Sequence, residues 1–500
     1  MAIEIINKTG GAFPVTRQVG SSADHAGLPN NCYFEQIDLN YLVRYKDATG
    51  AIIDAFSAAA GGLTYFTEAQ NSSAPNATVK VDSLTAVSST ANADISIVPK
   101  GTGAFQLAVP DNTTTGGNKR GTYAVDLQIS RISNSQVSSG VYSTILGGRD
   151  NTASGSYSVC IGGYSNSSSS SYSLSGGLYA QSSGVGSVAF GLRTKATNDG
   201  AVSLGGSASS DNTASGQNSV AIGISNISNN LASVALGNSN TASGSGSVSL
   251  GVSNTASGLY SVSIGYGNNN TGTYGALATG WVNTMSSQGG FVGGYSCNHS
   301  GSYGLTMGYG SSNSGSQTIV IGQSITSTTA YSLVVGQNHN VTGGNNSVVG
   351  AGGVIINGFG RQVQAFYNTV VGDAQNTKMV LTKRTTDATL TPLTVGGTAP
   401  YFGQNEFSLQ DNSCVRFRGT IVGKQTGSAN IGVWDIDGVI SKVGTITINV
   451  NNVTVVTNTS AWGTPTLTVN GLQGLRINVS GLAGTNIQWT CYIDATEVVY

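Results

Sequence analysis

The chain has 500 residues, too many for one ordinary core, so several domains are expected. Only 9% of residues are charged and the net charge is −1, which leaves no cationic excess to displace counterions from a nucleic acid. With 39% apolar residues the composition is not that of a disordered polymer, and no run of eighteen apolar residues exists to cross a bilayer.

The opening "MAIEIINKTGGAFPV" has no basic region followed by an apolar stretch, so no secretory signal is expected. The cysteines Cys32, Cys160, Cys297, Cys414 and Cys491 are scattered and lack CxxC spacing, which points to reduced thiols in a protein made in the cytosol. Cys414 and Cys491 are the pair expected to share a domain. Residues 1–90 form a first segment in which "FEQIDLNYLVRYKDATGAIIDAFSAAAGG" mixes helical and strand character. Residues 91–131 form a short β connector marked by Pro99 and Pro110.

From residue 132 the chain repeats itself. "SVSLG" at 247–251 returns as "SVSIG" at 261–265. The closing glycine recurs at Gly147, Gly162, Gly177, Gly191, Gly205, Gly223, Gly237, Gly251, Gly265, Gly280, Gly294, Gly308, Gly322 and Gly336. A weaker copy ends at Ala351 and a sixteenth, "YNTVVG", at Gly372. A fixed short period marks a solenoid. Fourteen residues suit one coil of two short strands and two turns. Positions three and one before the anchor are predominantly apolar, and they are read as the structural core columns: Val159 and Ile161, Val188 and Phe190, Val220 and Ile222, Val234 and Leu236, Val248 and Leu250, Val262 and Ile264, Ile319 and Ile321. Two residues apart, the columns share one strand face. The residue between them is often small, as at Ala189, Ala221 and Ala235. Coils stack at ~4.8 Å, so sixteen give a rod ~70 Å long.

At "SVAIG", "SVALGNSNTASGSGSVSLG" and "SVSIGYGN" the chain resembles the head repeats of the trimeric adhesins of bacterial surfaces, the YadA-like head. The resemblance covers residues 140–372. It implies an all-β, left-handed parallel β-roll solenoid, three copies of which pack about a three-fold axis as a homotrimer. The flanks differ from those adhesins: no sustained heptads and no four membrane strands are read at the end of the chain. "ISIVPKGTGAFQLAVPDNTTTGGNKRGTYAVDLQ" at 95–128 resembles segments of bacteriophage tail-fibre and virion appendage proteins. So do "FRGTIVGKQ" at 417–425, "VWDIDGVI" at 433–440 and the "IQWTCYIDATEV" ending.

Residues 373–404 are read as a linker and 405–500 as a C-terminal β-sandwich that caps the fibre. "TITINVNNVTVVTN", 445–458, reads as a hairpin around Asn451–Asn452. Ile487, Trp489, Cys491 and Ile493 alternate with polar residues, so one face of that strand is buried.

No Asp, Glu, Lys or Arg occurs from Asn212 to Gly360. Glycoside hydrolysis normally needs two carboxylates flanking the bond, and the only ones between 140 and 211 are the separated Asp150, Asp199 and Asp211. The expectation is no enzyme activity, no catalytic residue, no cofactor and no metal. His299 and His339 are expected on the solvated surface, and Asp435 with Asp437 form a D-x-D pair of a kind that can hold a cation, expected in a turn or on the surface instead. A tyrosine column five residues before the anchor runs through Tyr142, Tyr157, Tyr172, Tyr260, Tyr303, Tyr331 and Tyr367, and its first three, in consecutive coils, would form a ladder; it binds sugars, or it packs at a corner of the roll or between chains of a trimer. Trp462, in "SAWGTP", sits in a loop and faces a receptor.

These readings give a structural and adhesive bacteriophage fibre, made in the host cytoplasm and carried on the virion. Its partners are itself, other virion proteins through the N-terminal region, and a host surface glycan; nucleic acid and membrane insertion are excluded. The alternatives are a bacterial trimeric surface adhesin and a polysaccharide-degrading tailspike.

Overall fold

A computed structural model describes residues 6–7, 16–20, 32–36, 42–46, 52–54, 66–71, 81–87, 92–366, 372–399, 406–460, 462–471 and 474–499. They fall into two units, Met1–Val98 and Pro99–Tyr500. Apart from one 3-10 turn at Val395–Gly397, every regular element among the described residues is a strand. In the first unit Ile6–Asn7, Thr16–Gly20, Cys32–Gln36, Leu42–Lys46 and Ile52–Asp54 form a sheet in chain order. Phe66–Asn71 pairs antiparallel with Val81–Ala86. The helical character expected in 1–90 is absent from the described residues: "CYFEQ" and "LVRYK" are rich in aromatic and branched side chains and pair along their whole length.

The second unit contains a parallel solenoid. Sixteen long strands, from Thr144–Ile145 to Arg361–Ala365, stack in order, and fifteen short strands stack beside them. Phe105–Gln106 and Val125–Asp126 already lie in parallel register beneath Thr144–Ile145, so half of the expected connector belongs to the stack. Neighbouring coils are offset by fourteen residues, as in Val234↔Val248 and Leu236↔Leu250. Gly336 pairs with Gly350 and Gly350 with Ala365, so the fifteenth anchor is Gly350 rather than Ala351, and the sixteenth coil's anchor position is Ala365 rather than Gly372.

The register corrects the inward assignment. The small residues between the two apolar columns fill the roll: Cys160, Ala189, Ala221, Ala235, Ser249, Ser263 and Val320 are each 0% exposed. Facing them from the short strands are Ala153, Ala196, Ala214, Ala242 and Ala256, also inaccessible. The columns read as core turn outward. Val159, Val188, Val220, Val234, Leu236, Val248, Leu250 and Val262 are only partly covered, and Ile161, Phe190, Ile222, Ile264, Ile319 and Ile321 are exposed. Strand alternation fixes that the columns share a face but not which face is inside. Two strands linked by tight turns leave little room, filled by Ala and Ser through the middle coils and by Val320, Ile325, Val334, Val341 and Ile355 in the later ones.

Two devices hold the coils together. At the anchor, Gly237 has φ 117°, and a Cβ there would lie 2.1 Å from the Gly251 carbonyl oxygen of the next coil. Only glycine accepts both the left-handed backbone and that approach. Three residues on, buried asparagines form a ladder. Asn240 Nδ2 donates to the carbonyl oxygens of Leu236 (2.9 Å) and Gly251 (2.6 Å). Its Oδ1 accepts from the Asn254 backbone N–H (3.0 Å) and Nδ2 (3.1 Å). Asn226, Asn254 and Asn268 repeat the pattern.

Buried ionic side chains lie at both ends of the stack. Below the first coil of the stack Arg120 Nε donates to Asp126 at 2.7 Å, both side chains inaccessible. At its finish buried Arg361 donates to the Ser408 carbonyl at 2.8 Å and lies 5.2 Å over the Phe407 ring. Burial pushes the Glu497 carboxyl above the usual range, opposed by the Gln375 amide and Arg361.

The chain ends in antiparallel sheets. Ala374–Thr385, Ile487–Val499, Ser413–Gln425, Ile431–Val443 and Thr445–Asn458 neighbour one another in that order. Gly474–Ser480 pairs with Leu390–Pro392, Phe407–Ser408 and Thr466–Val469. One core takes Leu381, Phe417, Trp434 and Trp489 from the first sheet and Leu475, Ile477 and Val479 from the second. The expected linker at 373–404 therefore supplies strands: Met379 and Leu381 point inward by alternation. The expected hairpin at 445–458 is a single strand, with the turn before it at Gly444 (φ 68°).

Candidate functional site

The surface with the most unusual chemistry is the outside of the roll. The long strands face outward with the columns described above: Ile161 (46% exposed), Phe190 (45%) and Ile319 (42%) mark an apolar band along the stack. Exposed apolar patches of this kind mark surfaces that contact another molecule. Among the described residues no ionic side chain interrupts the band between 212 and 360.

Two aromatic rows flank it. The structure brings Tyr142, Tyr157 and Tyr172 together and adds Tyr123 from the coil below. Ring centroids are 4.8, 5.1 and 5.1 Å apart and interplanar angles are 16°, 8° and 5°. Each of these tyrosines has a left-handed backbone, φ 56–59°, at a corner of the coil. Their faces cover one another, so the ladder offers solvent mainly ring edges and hydroxyls. The rings pack on one another yet remain 44–63% exposed. Tyr367, the copy of this position beyond the insertion, lies outside the described residues.

A second row was not singled out in the sequence. Tyr266, Trp281, Tyr295 and Tyr309 follow the anchor glycines of four consecutive coils and pair in register. The signal was present as "IGY", "TGW", "GGY" and "MGY". Centroids are 5.2, 5.9 and 5.2 Å apart. Trp281 is tilted 57° and 54° to its neighbours, so neither ring stacks on its face.

The other candidates are internal or paired. Trp462 does not face a receptor: it is 3% exposed, its ring 5.5 Å from that of Trp489. Gly423 and Gly432 leave room for the rings, since a Cβ at either would lie within about 3 Å of Trp462. Asn458 fixes the loop, donating to the Trp462 carbonyl at 2.8 Å and accepting from its N–H at 3.1 Å. His299 and His339 are not solvated, at 0% and 1% exposure. His339 occupies a rung of the asparagine ladder. Its Nδ1 accepts from the Gly353 N–H (2.8 Å) and its Nε2 donates to the Val335 carbonyl (3.1 Å), which defines a neutral ring. Burial holds both imidazoles below the usual histidine range.

Asp435 and Asp437 lie on the outer face of the terminal sheet, not in a turn. Arg416 and Arg418 pair with Asp437, and the Arg416 hydrogen bond holds that carboxyl below its ordinary range. Arg418, Thr420, Asp435, Asp437, Tyr492 and Asp494 line a shallow cavity. Among the described residues no cluster of three or more His, Cys, Asp or Glu is placed to hold a metal ion. Cys160, Cys297, Cys414 and Cys491 are free thiols; Cys414 faces out and Cys491 in, so that pair is not bonded.

The sequence profile of the YadA head domain repeat matches residues 182–208, 214–240 and 242–268. These are six of the coils described above, and they identify YadA head repeats within the chain. No curated protein matches. Among solved structures, similarity is found to the tailspike protein gp49 of Acinetobacter baumannii bacteriophage Fri1, a capsular polysaccharide depolymerase. The identity is 9%, the TM-score 0.20, and 79% of this chain and 70% of that one are covered. The tailspike protein of Acinetobacter phage vB_ApiP_P1 is similar at 9% identity and TM-score 0.17, over 95% and 98%. At such scores neither fold nor role carries over; the repeat match and the coil geometry stand without them.

Proposed function

We propose that the chain is a structural and adhesive fibre of a bacteriophage particle, a homotrimer built on a left-handed roll. The observation that carries the reading is the outward apolar band on a stack whose interior is already full. Three copies packed about a common axis would bury each other's band, and a fibre is what stacked, hydrogen-bonded coils then make. Its N-terminal region docks on the particle, and the terminal sheets, packed as a sandwich, cap the trimer and present a surface to a host glycan. Three weak sites on one rigid body gain through effective concentration. The resemblance of the flanking segments to virion appendage proteins is what favours a phage over a bacterial surface.

The fibre is not an enzyme on this reading. The cavity at Asp435, Asp437 and Asp494 holds carboxylates, but a glycosidase needs one carboxyl kept protonated, and Asp437 is driven the other way by Arg416. Two measurements test the proposal. Antibody against this chain should decorate a fixed position on phage particles; decoration of bacterial surfaces alone contradicts it. Incubation with host surface polysaccharide should release no new reducing ends; release would transfer the role to a depolymerase.

A further inference from the structure

The aromatic row after the anchors changes character along the stack. Tyr266, Trp281, Tyr295 and Tyr309 are 44–54% exposed. In register beyond Tyr309 come the exposed amides Gln323 and Gln337, then Ala351. A groove of about 590 Å³ runs along Tyr309, Gln323, Gln337 and Ala351 to the Phe366 ring. Its floor is bare backbone, because Gly308, Gly322, Gly336 and Gly350 carry no side chain. We infer that this strip is a binding site for an extended, uncharged polysaccharide chain lying along the stack, with the Trp281 face as its stacking platform.

Three features select that occupant. The strip repeats a hydroxyl, indole or amide group every 5.2–5.9 Å where rings neighbour one another, the same order as the advance per sugar in an extended glycan. Sugars present alternating C–H faces and hydroxyls, which suit one open indole face beside phenol and amide groups. No charge lies in the stretch, so an anionic or cationic polymer finds no counterion there. A second copy of the chain suits the strip less well than it suits the aliphatic band, because phenol hydroxyls and amides would be buried without assigned partners. The site stands apart from whatever the terminal sheets bind.

Trp281 makes the test direct. The other three tryptophans, Trp434, Trp462 and Trp489, are 0–3% exposed. Iodide quenching of the assembled full-length protein should therefore report Trp281 alone. Cellohexaose or chitohexaose should protect it saturably and shift its emission to the blue, with affinity independent of salt. The double variant Tyr309→Ala, Gln337→Ala should weaken protection about tenfold without changing the mass of the assembly. The inference is overturned if neither hexamer protects at millimolar concentration. It is overturned equally if Trp281 resists iodide before sugar is added, because another copy then covers the strip. Assembly mass is read separately, so failure here and failure of the fibre proposal are distinct.

Discussion

At the scale of single residues, buried amides decide more than the conspicuous aromatics. The asparagine ladder was legible as G-x-x-N in "GISN", "GNSN", "GVSN" and "GYGN", yet Asn beside Gly is also the mark of a turn. Sequence alone does not separate a rung from a turn. Replacing Asn240 with Ala strands the Leu236 and Gly251 carbonyls and the Asn254 N–H. A loss of about 2–4 kcal/mol is expected in chemical denaturation. His339 takes the same rung, and there the cost depends on pH. Its folded-state affinity for a proton lies below the unfolded value near 6.5, so its contribution is complete above about pH 6.5. That contribution erodes as pH falls toward the lowered folded value, where the Gly353 hydrogen bond is lost to protonation. His299, buried with Nε2 unpartnered, acts in the same direction. The melting temperature of His339→Asn should fall less between pH 7.5 and 5 than that of the unaltered protein; an equal fall removes the histidine from the account. Trp462 shows the opposite limit. Its neighbours Gly and Pro marked a loop, which is correct, but the space left by Gly423 and Gly432 is contributed by distant strands and is invisible along the chain.

At the scale of the element, the period was readable and its parity was not. Anchor glycines, coil length and paired columns all followed from the repeat. Whether Ala235 or Leu236 faced inward depended on how thin a two-strand coil is, a property of the assembled turns. The two residues give opposite expectations. Ala235→Leu should cost about 1–3 kcal/mol in stability, because the interior is closed by Ala242 and neighbouring coils. Leu236→Asn, with Ile222→Asn and Ile264→Asn, should leave each coil folded by circular dichroism while weakening association. If Leu236→Asn unfolds the coil and Ala235→Leu is tolerated, the inward assignment is reversed. The terminal sheets teach a related lesson. Alternation in "IQWTCYI" placed Trp489 and Cys491 correctly, whereas "TKMVLTKRT" alternates too, but its two lysines and arginine disguised the strand as a linker.

At the scale of the whole molecule, the outer apolar band is the feature that a lone chain explains least. Its interior needs nothing further, its ends are plugged by buried Arg120–Asp126 and Arg361, and its charge is nearly absent along the middle. The proposed trimer would cover the band and leave the aromatic strip beside it open to sugar. The most direct test is the mass of the purified full-length protein by light scattering at low micromolar concentration. The account predicts three times the chain mass of 50.6 kDa, falling to one chain when Ile222, Leu236 and Ile264 are all changed to asparagine. A soluble, well-folded single chain of 50.6 kDa with the band intact would contradict it.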